Sequence, residues 1–236
     1  MEGIASSLAK PAQLRRDGKP RPRSETKRLQ ILEVAIRHFA EHGYSEARVE
    51  DIAAQLGVSK GSVFQHFKSK DGLFFEAYKK AVRSFSKYME APLKARERGF
   101  FEVLRYWLER TENMARDNWS SYRIYLVVNY GTDLALLREI NRFLVTEDPY
   151  GWREFVSFGA SRGELRTDLD TDMIGSVLEW TMDRFQDALL TEEVDPGLFR
   201  KSGPAPEKRE ARIEQFLELM RRAIGSETAQ LSAKKT

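Results

Sequence analysis

Between Val49 and Phe67 the chain places two runs of helical periodicity, each only about two turns long, around a glycine. Val49, Ile52, Ala53 and Leu56 recur at i, i+3, i+4 and i+7, and Gly57 closes that run. Ser59 stands where it can cap a second run, which carries Val63 and Phe67 inward, four apart. Helices this short are marginal alone. They must therefore be held by a larger helical core, and the polar residues left on the second one (Lys60, Ser62, Gln65, His66) must face something. Two short helices joined by a tight glycine turn predict a helix-turn-helix.

The rest of the chain agrees with an all-α fold of about nine helices in two parts. Strand alternation is nearly absent from the 236 residues. Leu29, Leu32, Ile36 and Phe39 form one stripe of a first helix that Ser24 can cap and Gly43 ends. Ser69 is placed to cap a long fourth helix, which the pattern extends from Lys70 to about Glu90, before Pro92. Further helices are predicted near 98–117, 119–130, 132–146, 149–162, 171–191 and 207–224, punctuated by Gly131, Pro149 and Gly163. "VDPGLFRKSGPAP" is a loop. The organisation expected is a basic disordered arm over 1–23, a helix-turn-helix domain over 24–85, a larger helical domain over 86–225 and a polar tail over 226–236.

Composition narrows the function. Net charge is only +3, but residues 1–23 carry six basic side chains against Glu2 and Asp17. Positive charge thus gathers at the end where a nucleic acid would bind. There is no cysteine, which excludes disulfides and thiolate metal sites. No apolar run approaches membrane-spanning length, so no membrane partner and a cytoplasmic location are expected. His38 and His42 stand four apart, a spacing metals use, but no third ligand accompanies them, and neither metal nor cofactor is expected. His42 is better placed to stabilise the end of its helix. The carboxylates Glu164, Asp168, Asp170 and Asp172 are spaced as helix caps, and no nucleophile–base pair or phosphate loop appears, so no catalytic residues are assigned and the chain is not expected to be an enzyme.

A recognition helix lies in the DNA major groove with one side packed inward. With Val63 and Phe67 inward, Lys60, Ser62, Phe64, Gln65 and His66 fall on outward or flanking faces. Lys and Gln suit base edges, an aromatic ring can touch a thymine methyl, and Gly61 lets the backbone come close. Ser62 and His66 can bond phosphate oxygens, and Lys70 begins the next helix, where free N–H groups also favour phosphate.

"FAEHGY" followed by "ARVEDIAAQLGVSKGSVFQHFKSKDGL" resembles the DNA-binding domain of the tetracycline-repressor (TetR) family over roughly 25–85. The resemblance implies a one-component bacterial transcriptional regulator, usually a repressor. It also implies a homodimer on a palindromic double-stranded DNA operator, with a C-terminal helical domain that binds a small effector. It places base or phosphate contact at Lys60, Gly61, Phe64 and Gln65, and phosphate contact at Ser62, His66 and Lys70. Three positions depart from the family's habit. Arg48 replaces a frequent Thr or Ser cap and offers a longer charged contact, which adds it to the candidate set together with the capping Ser59. Phe64 stands where Tyr is usual. Gln65 occupies a variable position, so no operator sequence carries over.

In the C-terminal part, residues 107–158 are rich in aromatics that can enclose an apolar pocket. Trp107, Trp119, Tyr122, Tyr125 and Asn129 are the candidates for an effector that is apolar or aromatic, with at most one polar group. The 171–191 helix is apolar round most of its circumference, and with the last helix it can form a four-helix interface across a two-fold axis. The alternative to a ligand-responsive regulator is a structural DNA-binding protein without an effector.

Overall fold

The computed structural model describes residues 23–191, 194–195, 206–227 and 229–230. Twelve helices occur among them: α1 (Arg23–Glu46), α2 (Val49–Gln55), α3 (Lys60–Phe67), α4 (Lys70–Arg83), α5 (Ser86–Met89), α6 (Leu93–Arg98), α7 (Phe100–Asp117), α8 (Trp119–Asn129), α9 (Leu134–Glu147), α10 (Trp152–Ser161), α11 (Thr171–Leu190) and α12 (Pro206–Ile224). No strand occurs among the described residues; Leu165 and Gly225 form an isolated antiparallel bridge. The chain divides inside α4 into two compact units, one ending at Lys80 and one beginning at Ala81. The basic arm, apart from Arg23, the greater part of the 194–206 loop and most of the polar tail lie outside the described residues.

In the first unit the apolar faces anticipated by periodicity are buried: Leu32, Ile36 and Phe39 on α1, Ile52 and Ala53 on α2, Val63 and Phe67 on α3. α2 packs on both α1 and α3. Phe39 meets Phe74 of α4 edge-on with ring centres 4.9 Å apart, and Tyr44 meets the same ring at 5.0 Å. Gly43, at φ 70°, breaks the helical path of α1 and lets the chain turn towards α2. The Arg28–Glu76 ion pair ties α1 to α4, and the Arg28 guanidinium also lies over the Phe67 ring, 5.1 Å from its centre. A charged side chain thus covers the far side of the short helix that carries Phe67.

The fourth helix is shorter than its pattern. It ends at Arg83, where Ser84 Oγ donates to the Ala81 carbonyl at 2.6 Å. The Ser84 and Phe85 N–H groups reach back three residues, to Ala81 and Val82, at 3.0 Å each. This tightened turn comes from a serine bonding its own backbone, with no Gly or Pro to announce it. The short helix α5 takes up the end of the span expected for the fourth helix, and α6 follows where the pattern gave none. Ser24 lies inside α1 and not before it.

α7 is the spine of the second unit, packing against α5, α6, α8, α10, α11 and α12. Its buried residues Phe100, Val103, Leu104, Trp107, Leu108 and Thr111 recur at helical spacing. Phe100 stacks on Phe155 of α10 with ring centres 4.2 Å apart, and Phe185 of α11 stacks on Phe216 of α12 at 4.3 Å. Of the four carboxylates anticipated as caps, Glu164 and Asp170 take that role, whereas Asp168 pairs with Arg166 and Asp172 lies within the first turn of α11. Glu164 accepts the Phe100 N–H at 2.8 Å, and Asp170 accepts those of Asp172 and Met173 at 2.9 and 3.1 Å. Close packing leaves no space at Gly159, where a Cβ would stand 2.5 Å from Phe100 Cδ2. Gly159→Ala should therefore destabilise the chain by about 1–3 kcal/mol through displacement of the Phe100–Phe155 stack. Chemical denaturation followed by tryptophan fluorescence measures this, and an unchanged midpoint would show that the stack yields freely.

Candidate functional site

α3 owes its position to Ser59, whose Oγ accepts the Ser62 N–H at 3.1 Å, and to the burial of Val63 and Phe67. That leaves Lys60, Gly61 and Gln65 exposed and Ser62, Phe64 and His66 half-buried along one short element. A Cβ at Gly61 would meet nothing closer than Ser59 Oγ at 3.8 Å, so packing within the chain does not require glycine there. Lys60 Nζ donates to Glu50 Oε1 of α2 at 2.6 Å and stands 5.4 Å from the Phe64 ring centre. The Lys60 ammonium in turn holds the Glu50 carboxyl below the usual carboxylate range. Lys70 Nζ donates to the Ser45 carbonyl at 3.0 Å and lies over the Tyr44 ring at 4.8 Å, so its charge is anchored beside the start of α4. Arg48 is exposed at the N-cap of α2 and makes no side-chain cap there. The sequence reading passed over Lys68, an exposed cation at φ 65° that caps the C-terminus of α3; its only signal was a basic residue next to the helix end.

The second unit holds two neighbouring cavities with Met89 and Tyr150 in common. The larger, about 160 Å³, is walled by Trp107, Phe155 and Phe158. The smaller, about 40 Å³, is walled by Tyr122, Tyr125, Trp152, Asp183 and Asp187 among others. Trp107 is fixed by its Nε1–H, which donates to the Met89 carbonyl at 2.9 Å, and by the Phe155 ring at 4.3 Å. Of the five residues predicted for an effector, the structure gathers Trp107, Tyr122 and Tyr125 at these cavities. Trp119 is 47% exposed and lines neither, and half-buried Asn129 lines neither. Trp119 points outward because it is the first residue of α8, whose inward face begins at Tyr122.

The cavity residues that sequence reading missed are the acids of α11. Asp187 is buried and accepts the Tyr122 hydroxyl at 2.7 Å and the Tyr130 hydroxyl at 2.9 Å. Burial raises its carboxyl, and the two phenols oppose that rise. The Tyr122 phenol is pushed well up by burial and by the Asp187 charge. Asp183, one turn earlier, is pushed up to about 7 by burial and by Glu179, although Tyr125 donates to it. In sequence Glu179, Asp183 and Asp187 stand at i, i+4 and i+8, a spacing that an ordinary solvated stripe shares.

Residues 31–77 match the family model for bacterial regulatory proteins of the TetR type. Over 172 residues the chain is 31% identical to the HTH-type transcriptional repressor AcnR of Corynebacterium glutamicum, covering 72% of this chain and 86% of the relative. The chain belongs to the TetR family. The fold of this TetR-family chain is shared with a TetR-type regulator from Shewanella sp. PV-4 at a TM-score of 0.63 and 19% identity, over 85% of this chain and 98% of that one. A transcriptional regulator from Saccharomonospora viridis, solved in complex with choline, superposes with a TM-score of 0.57 at 26% identity, over 86% of this chain and 99% of that one. The protein is a DNA-binding transcriptional regulator of the repressor type and not an enzyme. Regulators of this family bind DNA operators as dimers and respond to small molecules.

Within the TetR-type DNA-binding unit, His38 holds the backbone at the start of α2, where Arg48 makes no side-chain cap. The histidine is buried, and its Nε2 accepts the backbone N–H of Arg48 at 3.3 Å. Accepting requires the neutral ring. Burial, with His42 nearby, lowers the His38 pKa from 6.5, while Asp51 and Glu41 act in the opposite direction. A base whose folded pKa is depressed contributes stability that is complete above its unfolded value and is lost as pH falls through its folded value. The thermal midpoint of the chain should therefore drop as pH falls below 6.5, and His38→Asn should flatten that acid slope. Melting curves across this range check it; identical slopes in the two proteins would remove His38 as the cause.

Proposed function

We propose that α3 reads an operator in the major groove and that a small molecule held in the second unit releases the regulator from it. Gln65 and Lys60 meet base edges, and Phe64 meets a thymine methyl. Arg48, Ser62, His66 and Lys70 hold phosphates, while Ser59 sets the start of the helix. The observation that carries this reading is Gly61, an exposed glycine that the packing of the chain itself does not need, in the middle of the exposed polar face. A bare backbone there serves a close approach from outside. The aromatic cavities favour an effector over a purely structural DNA-binding role, and the choline held by the Saccharomonospora viridis regulator supports a small-molecule site on this fold. Effector and operator then weaken each other's binding by the same factor.

The dimer this reading needs forms through α11 and α12. Met173 and Trp180, seven residues apart on α11, are 54% and 63% exposed, and Leu219 of α12 is 58% exposed. Large apolar side chains exposed in this way are typical of the buried centre of an interface. Two recognition helices must stand about 34 Å apart to enter successive major grooves.

Selection of bound genomic fragments identifies the operator. Its affinity should then fall with salt by about 0.9 log units per log unit for each phosphate neutralised. Arg48→Ala should weaken all sequences alike, and Gln65→Ala should change which bases are preferred. A flat salt dependence, or preferences untouched by Gln65→Ala, would refute the placement of α3. In sedimentation, Trp180→Asp with Leu219→Asp should give a folded monomer with much weakened operator binding; a persistent dimer would move the interface elsewhere.

A further inference from the structure

The smaller cavity has an imbalance of charge that an apolar ligand would not need. Asp183 and Asp187 of α11 line it, Glu179 stands one turn before them outside its walls, and among the described residues none of the three forms an ion pair with Lys, Arg or His. The basic residue beside them, Arg184, is exposed with its guanidinium 4.4 Å from the Tyr130 ring centre; its charge opposes the rise of Asp183 and Asp187 but it pairs with neither. Asp187 is satisfied by two tyrosine hydroxyls. Asp183 has one, from Tyr125, and faces the cavity together with the Tyr122 ring and Trp152. Carboxylate and electron-rich ring faces attract the same kind of ligand. Aromatic walls draw a cation to their faces, and a desolvated carboxylate draws it more strongly. An anion is repelled there, and a neutral apolar molecule leaves the carboxylate buried beside it.

We propose that the effector is a small organic cation, an ammonium group on an apolar or aromatic body, with its charge against Asp183 and its body lying past Met89 and Tyr150 towards Trp107. The shared walls allow this. Met89 lies between the 40 Å³ and 160 Å³ spaces, and an unbranched thioether is the core side chain most able to rearrange. The inference rests on the reading of these cavities as the effector site and adds to it the sign of the ligand's charge. It also carries a pH dependence. Asp183 sits at about 7, so a cation that requires the carboxylate must displace a proton below that pH. The groups facing Asp183 are Glu179, Asp187 and Arg184 from its own helix and the phenols of Tyr122 and Tyr125 from α8; Asp148 acts on Glu179.

The test is calorimetric titration of the full chain with choline and with benzyltrimethylammonium, each beside the neutral isostere in which carbon replaces the quaternary nitrogen. The cations should bind about tenfold or more tighter than their isosteres. Asp183→Asn should bring that ratio towards one without lowering the melting temperature. If that variant does not fold, the unaltered chain still decides. Cation affinity should fall by up to about tenfold per pH unit below 7, while isostere affinity stays level. Equal affinity for cation and isostere, a level pH profile, or no heat from either cation overturns the charge assignment. Operator binding is measured on the same preparation. An operator complex without cation binding leaves the DNA-reading proposal standing and sinks this inference. Cation binding without an operator complex does the reverse.

Discussion

The short length of α2 and α3 is the constraint on which the DNA-facing unit depends. Seven and eight residues cannot hold a helix in water, so both elements exist only because their apolar sides are buried and their ends are bonded. Val63 and Phe67 do this for α3, with Ser59 at its start and the Lys68 N–H on the Phe64 carbonyl at its end. For α2 the bonding is less usual, since an imidazole from α1 accepts the Arg48 N–H that begins the element. Everything the exposed side of α3 offers is therefore as well placed as these few contacts are strong. Helix 1 supplies both the floor of this unit, through Phe39, and the acceptor that starts its neighbour, through His38 one residue earlier.

Most of this was legible in the sequence because its signals are local. Capping serines, glycine breaks and the i, i+3, i+4, i+7 spacing each act within a turn or two, and Ser59, Ser69 and the faces of α1 to α3 appear as their patterns indicate. The interruption after Arg83 was not legible. Serine within a helical pattern is ordinarily neutral, and only its bond to the Ala81 carbonyl shows that it ends the helix. The family resemblance likewise lay within 25–85 and said little about which aromatics would meet. Trp107, Tyr122 and Tyr125 converge, but Trp119 does not, because the orientation of α8 about its axis depends on neighbours distant in sequence.

The acids of α11 show the limit most plainly. In sequence, Glu179, Asp183 and Asp187 look like the solvated stripe of an amphipathic helix. In the fold, Asp187 is covered by two tyrosines from and just beyond α8, while the apolar Trp180 of the same helix is exposed. Composition is the same either way. What inverts the helix is the aromatic donor set opposite it, and such complementarity across 57 and 65 residues of chain has no periodic signature.

The Lys60–Glu50 contact bears on how such a protein searches a genome. An internal carboxylate occupies the lysine, and if Lys60 contacts DNA as proposed, that bond is surrendered at every encounter, matched or not. That fixed deduction is a small part of a full operator complex but a large part of a loose electrostatic one. Because the same cost weakens both complexes by the same factor, the preference for the operator is unchanged while every stay on bulk sequence becomes shorter. A regulator made less sticky in this way samples more sites per unit time, with α2 acting as a built-in competitor for its own recognition helix.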